Sequence, residues 1–370
     1  MNKFNSMMAV ALLALTFTAC KKDKDEPIIE VPPSDGSTLT LQGVAGSEAG
    51  SSAANSVYVD FSADKQTSVL RDSWDLGFYS GSDFKVIINA TNGSSVMQLD
   101  KTNLNDVTEA DLIKQTDLTL ALGSVPKEDV NGDNAVDYND NPEFKKVDNP
   151  IEARIINKTA ISEISATDAN NKVYLLNPSG GSHTAVFSID NVYKIRILRK
   201  GTGYTLQYAK LKSTTFNSLD IAKDDNFNFK HVSLTQGKTV DVEPVKTEWD
   251  IVWTWSLYYS GGLPNPYIYG FSDLVFVNNL GGTQASEVTA KSYADFSESD
   301  VAGVTFSTSR DAIADKWRVT TGTGIKPDRF YLIKDASGNV YKLKFVSMGV
   351  GSDGGTRGKP VIEYKLVKKG

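Results

Sequence analysis

The chain is poor in the residues that carry most acid–base and nucleophilic chemistry near neutral pH. Of its 370 residues, one is cysteine, Cys20, and two are histidine, His183 and His231. A single cysteine allows no internal disulfide, so the fold must rest on its hydrophobic cores. The sequence contains no Gly-x-Ser-x-Gly elbow, no His-Glu-x-x-His and no phosphate loop, so the expectation is a binding protein and not an enzyme. It also lacks a basic stripe interleaved with aromatics, and its net charge is −6. Affinity for nucleic acid is largely neutralisation of phosphate by Lys and Arg, which removes nucleic acid as a partner. Helical periodicity is sparse. Only Asn105 to Gln115, with Thr108 placed to cap, and Tyr293 to Val301 suggest short helices.

The N-terminus carries a processing pattern. Lys3 gives a short positive region, and Met7 to Phe17 is an apolar run too short to cross a bilayer. Phe17-Thr18-Ala19-Cys20 resembles a bacterial lipobox, with Phe17 where leucine is usual. On this reading residues 1–19 are a lipoprotein signal peptide and Cys20 is the lipidated residue that anchors the chain to the outer membrane. Lys21-Lys22-Asp23-Lys24-Asp25-Glu26-Pro27 is too polar to bury surface, and residues 20–36 read as a flexible tether. It is similar to the acidic segment after the lipid cysteine of Bacteroidetes surface lipoproteins, which implies exposure on the cell surface.

Strand signals fill the rest. Tyr193, Ile195 and Ile197 alternate with Lys194 and Arg196, and Tyr341, Leu343 and Phe345 alternate with Lys342 and Lys344. Alternation at period two marks antiparallel strands with one buried face. Gly, Ser, Asn and Asp clusters separate the runs. Asp335-Ala336-Ser337-Gly338 reads as the turn of a hairpin.

The same elements recur in the same order. Ser73-Trp74-Asp75-Leu76 returns as Glu248-Trp249-Asp250-Ile251. A strand ending in asparagine follows each, Ile88-Asn89 and Val277-Asn278. A Tyr-Leu strand comes next, at Val173 to Leu176 and at Phe330 to Ile333. Then Asn191-Val192-Tyr193-Lys194 returns as Asn339-Val340-Tyr341-Lys342. The length suits two domains of ordinary size. The expected division is 37–226, carrying an acidic insertion at about 127–149, and 227–370, with the boundary in the polar stretch Asp220 to Asn228.

Together these elements resemble the HmuY family of Bacteroidetes lipoproteins, apparently in two tandem copies, the second from about Phe229 to Lys368 being the better match. The resemblance implies a mostly-β fold of antiparallel sheets with few short helices, and capture of haem or a related tetrapyrrole for an outer-membrane uptake receptor. It does not transfer histidine ligands by position: the region before the second Tyr-Leu strand has none, and His183 falls after the first. His183 and Met97 are the candidate ligands, since other members resemble the founder but use methionine. Met348 reads as core packing and His231 as a strand residue.

Two further patterns come from the residues alone. Asp129, Asn131, Asp133, Asp137 and Asp140 occupy positions 1, 3, 5, 9 and 12 of a loop whose oxygen donors suit Ca²⁺, with Asn134 in place of the usual glycine. Trp249, Trp253 and Trp255 alternate with Asp250 and Thr254, which would set all three on one strand face. Trp249 reads as core. Trp253 and Trp255 are candidates for contact with a ring system or a glycan, Trp255 the more exposed. The alternative function is therefore a structural or glycan-binding accessory lipoprotein whose haem site is lost.

Overall fold

The alternating patterns become eighteen strands among the described residues, which in this computed structural model are 32–112, 118–120, 122, 142–180, 187–261 and 266–370. In chain order they are β1 (Gly36–Thr40), β2 (Asn55–Asp60), β3 (Lys65–Leu70), β4 (Leu76–Tyr79), β5 (Val86–Ile88), β6 (Ser95–Gln98), β7 (Val173–Asn177), β8 (Tyr193–Lys200) and β9 (Gly203–Lys210). The series continues with β10 (Asn217–Ile221), β11 (Phe229–Ser233), β12 (Lys238–Val240), β13 (Ile251–Ser260), β14 (Tyr267–Val277), β15 (Gln284–Val288), β16 (Phe330–Lys334), β17 (Val340–Ser347) and β18 (Val361–Lys368).

The strands form four antiparallel sheets, ordered β1-β18-β17-β16-β15, β10-β9-β8-β7-β6, β12-β11-β4-β5 and β14-β13-β2-β3. The second nine strands repeat the first in order, and equivalent strands hold equivalent places. The pairing nevertheless crosses the boundary expected at 226/227. Strands β1–β3 complete the sheets of the C-terminal half, pairing with β18 and β13. Strands β10–β12 complete those of the N-terminal half, β10 pairing with β9 and β11 with β4. Residues Pro33–Gly370 make one compact unit.

Two large cores sit between these sheets. One gathers Val57, Phe61, Trp253, Trp317, Tyr331, Tyr341 and Tyr364; the other gathers Leu76, Phe78, Tyr174, Ile195, Tyr204 and Val232. The residues that alternate inward along β8 and β17 are those the period-two pattern selects. Lysines on the opposite phase are buried too. Lys194 donates to the Val107 carbonyl at 3.0 Å, and Lys342 donates to the Tyr293 and Phe296 carbonyls at 2.6 and 2.9 Å. Burial of these ammonium groups is tolerated because their donors are taken up by backbone oxygens.

The two expected helices are short 3-10 segments where described, at Leu104–Asp106 and Glu109–Asp111 and at Glu298–Gly303. Thr108 and Ser297 do cap, each with an aspartate three residues on completing a capping box. Turns this short lack the length to continue as α-helix in isolation, and the chain returns to extended conformation at Val107 and Val304.

Candidate functional site

The repeated Trp-Asp and Asn residues turn out to be joints between the sheets. The Asp75 carboxylate accepts the Leu234 N–H at 2.7 Å, and Asp250 accepts the Phe61 N–H at 2.9 Å. Each aspartate thus anchors the hairpin contributed by the other half of the chain. Asn89 Nδ2 donates to the carbonyls of Arg71 and Trp74, both at 2.7 Å. Asn278 Nδ2 does the same to Lys246 and Trp249, both at 2.8 Å. A Cβ at Gly281 would lie 2.3 Å from the Lys246 oxygen, so this turn needs glycine for the approach.

Between the two four-stranded sheets these joints line a half-open cavity of about 140 Å³. Its walls come from both halves. His231 on β11 stacks edge-to-face on Trp74, with centroids 4.7 Å apart, and Tyr58 on β2 stacks on Trp249 at 5.0 Å. The register makes the pairs equivalent, His231 facing Gly77 and Tyr58 facing Val252. Gly77 leaves room on that side, since a Cβ there would sit 2.8 Å from Ile87. Thr254, Ser256 and Phe276 close the opposite wall.

Besides Tyr58, four titratable groups line this space. Burial, with a small contribution from Lys230, lowers His231 to about 3, so the imidazole is neutral. Burial raises Glu243 to about 8 against the hydrogen bond it accepts from the Phe229 N–H at 2.6 Å. Burial raises Asp148 to about 7 although it accepts the N–H groups of Ile88 and Ala160 at 2.8 and 2.9 Å. The Arg310 guanidinium lies 3.9 Å above the Phe276 ring and, among the described residues, has no side-chain hydrogen bond and no ion pair. Its backbone is fixed to the end of β14, where the Val277 N–H donates to its carbonyl at 2.8 Å. None of these four was singled out as a site residue in the sequence. Arg310 belongs to no motif, and His231 reads there as an ordinary strand residue; only the pairing of Tyr58 with Trp249 in the repeat points toward it.

The residues chosen from the sequence lie elsewhere. Met97 is half-buried on β6 and packs on the cluster of Leu104, Val107, Val173 and Leu175. Met348 is fully buried in the other half. The three tryptophans do not share a face. Trp249 precedes β13 and holds Tyr58 edge-to-face, Trp253 is 1 % exposed within a core, and Trp255 is half-buried under Arg71, whose Cζ is 5.2 Å from its ring. The divergence arises because Trp249 is outside the strand and because the β13–β14 register shifts between Thr254 and Ser256. Cys20, His183 and the loop carrying Asp129, Asn131, Asp133, Asp137 and Asp140 lie outside the described residues. Among the described residues no group of three or more His, Cys, Asp or Glu is placed to hold a metal ion, and no helix is long and apolar enough to cross a membrane.

His231, Met97 and Met348 therefore sit in three separate places. The cavity beside His231 is also well below the roughly 300–1,000 Å³ of pockets that take large organic ligands, so a tetrapyrrole does not fit there. In comparison with known proteins, the family model described as HmuY protein matches residues 52–364, spanning both halves. No curated protein and no solved structure matches the chain.

Proposed function

Because the chain belongs to the HmuY family, whose members are proteins of haem-binding type, we propose that it is a surface-anchored lipoprotein that captures haem or a related tetrapyrrole for uptake. The family match over residues 52–364 carries this reading. The tetrapyrrole would bind away from the interior cavity, and Met97 and His183 are the candidate ligands. The strand that carries Met97 is tied to the chain leading toward His183: Asn92 Nδ2 and Ser94 Oγ both donate to the Pro178 carbonyl, at 3.0 and 2.8 Å. A polarizable thioether and an imidazole are both competent axial ligands for haem iron. Cys20 would hold the protein at the outer membrane, and an uptake receptor would receive the ligand.

The test is a hemin titration followed by absorbance. A saturable, red-shifted Soret band at one equivalent is expected, with the band changed in Met97→Ala or His183→Ala. A featureless titration would overturn the reading.

A further inference from the structure

We propose that the cavity between the two four-stranded sheets is a second binding site, taking a single-ring aromatic carboxylate with its carboxylate on Arg310. This goes beyond the tetrapyrrole reading and does not depend on it.

Size comes first. A cavity of about 140 Å³ is close to the roughly 150 Å³ apolar cavity that accepts benzene. Its walls are suited to a ring: Trp74, Trp249, Phe229 and Phe276 supply aromatic faces, and both tryptophans already hold edge-to-face partners. Aromatic walls in this arrangement favour a further offset or edge-on ring.

The charge comes next. Among the described residues the half-buried Arg310 guanidinium and the buried His231 imidazole have no side-chain hydrogen bond to protein, and both line the cavity, where their polar atoms are open to a ligand. Arg310 stays cationic, its planar fork matches a carboxylate in two-point geometry, and its stacking on Phe276 holds it in place without consuming its N–H donors. The nearby acids do not neutralise it by contact. Both oxygens of Asp148 are taken by backbone N–H groups, and Glu243 is engaged with the Phe229 N–H. A permanent cation without an ion pair among the described residues, in a half-open and largely apolar space, selects an anionic ligand. The neutral imidazole supplies one further donor and one acceptor, which suits a hydroxyl on the ring.

The experiment titrates the full-length chain with benzoate, toluene, benzylamine and inorganic phosphate, read by tryptophan fluorescence and calorimetry. Benzoate is expected to bind at one equivalent, at least about tenfold more tightly than toluene or benzylamine, and phosphate not to compete. Arg310→Gln should weaken benzoate at least about tenfold, with Arg310→Lys intermediate, while the Soret response to hemin is unchanged. Toluene binding as tightly as benzoate, preferential binding of benzylamine, phosphate displacing benzoate, or no binding of benzoate would each overturn the proposal. If Arg310→Gln fails to melt cooperatively, Arg310→Lys and the comparison of ligands on the unaltered chain still decide it. Failure of the tetrapyrrole reading would appear only in the hemin titration, so the two are told apart.

Discussion

Asn278 shows how much one side chain can hold at this scale. It donates to the carbonyls of Lys246 and Trp249 and accepts from the Gly281 N–H at 3.0 Å and from Asn228 Nδ2 at 2.9 Å, all in a residue 1 % exposed. Asn278→Ala leaves the Lys246 and Trp249 carbonyls without this donor, while the Gly281 N–H keeps the Asn278 backbone carbonyl at 3.2 Å; unmet buried groups cost about 1–3 kcal/mol each before relaxation. The expected loss is about 2–4 kcal/mol in a urea melt, and Asn89→Ala should lose a similar amount. Glu243 gives a pH signature. Its folded value of about 8 lies above its ordinary 4.5, so between those values the folded state keeps a proton the unfolded chain has released. Stability therefore falls as pH rises through that window. His231 acts in the opposite sense between about 3 and 6.5, where only the unfolded chain takes the proton, and has no further effect above 6.5. Between pH 6.5 and 8 the acids act alone. Calorimetry should show stability dropping by about 2 kcal/mol over that interval, and Glu243→Gln should flatten the drop. A melting temperature that rises over the same interval would contradict the assignment.

Among the elements, the hairpins explain both what was legible in the sequence and what was not. The alternating strands, the recurring Trp-Asp and the closing asparagines could be read directly, because each is a local pattern. Their purpose could not, because Asp75 and Asp250 bond to N–H groups 159 and 189 residues away. The same separation hid the cavity. Its walls come from β2, β5, β11, β13 and β14, and Arg310, its only arginine among the described residues, stands in a loop without a motif. The tryptophan stripe misled because a register shift within β13 is invisible to simple alternation. The crossing of strands also makes a prediction. Residues 71–245 contain β4 to β12 and so retain both sheets of their half; residues 227–370 contain β13 and β18 without β2 and β1. A fragment of 71–245 should show a cooperative melt and dispersed amide spectra. A fragment of 227–370, with two open edges and with Leu41, Ala53, Val57, Val59 and Phe61 missing from its core, should aggregate or bind a hydrophobic dye. The reverse result would mean that the sequence boundary at 226/227, not the strand pairing, defines the folding unit.

For the whole molecule, what matters is where the described chain enters the fold. Strand β1 starts at Gly36 and pairs with β18, the last strand, Gly36 lying opposite Lys365. The entry point is therefore on the outer edge of a five-stranded sheet, away from the cavity, which lies between the two four-stranded sheets. One diacyl-bearing cysteine is enough to hold a protein on a membrane, since each buried methylene contributes about 0.8 kcal/mol and two chains make release slow. Cys20→Ser should abolish incorporation of labelled palmitate and move the protein from the membrane fraction to the soluble fraction, with its melting temperature unchanged because nothing described depends on that residue. On the proposed reading the purified Cys20→Ser protein should still respond to hemin and to benzoate, because an anchor at Cys20 would set where capture happens and not what is captured. Retention of Cys20→Ser in the membrane fraction would assign the attachment to some other surface of the protein.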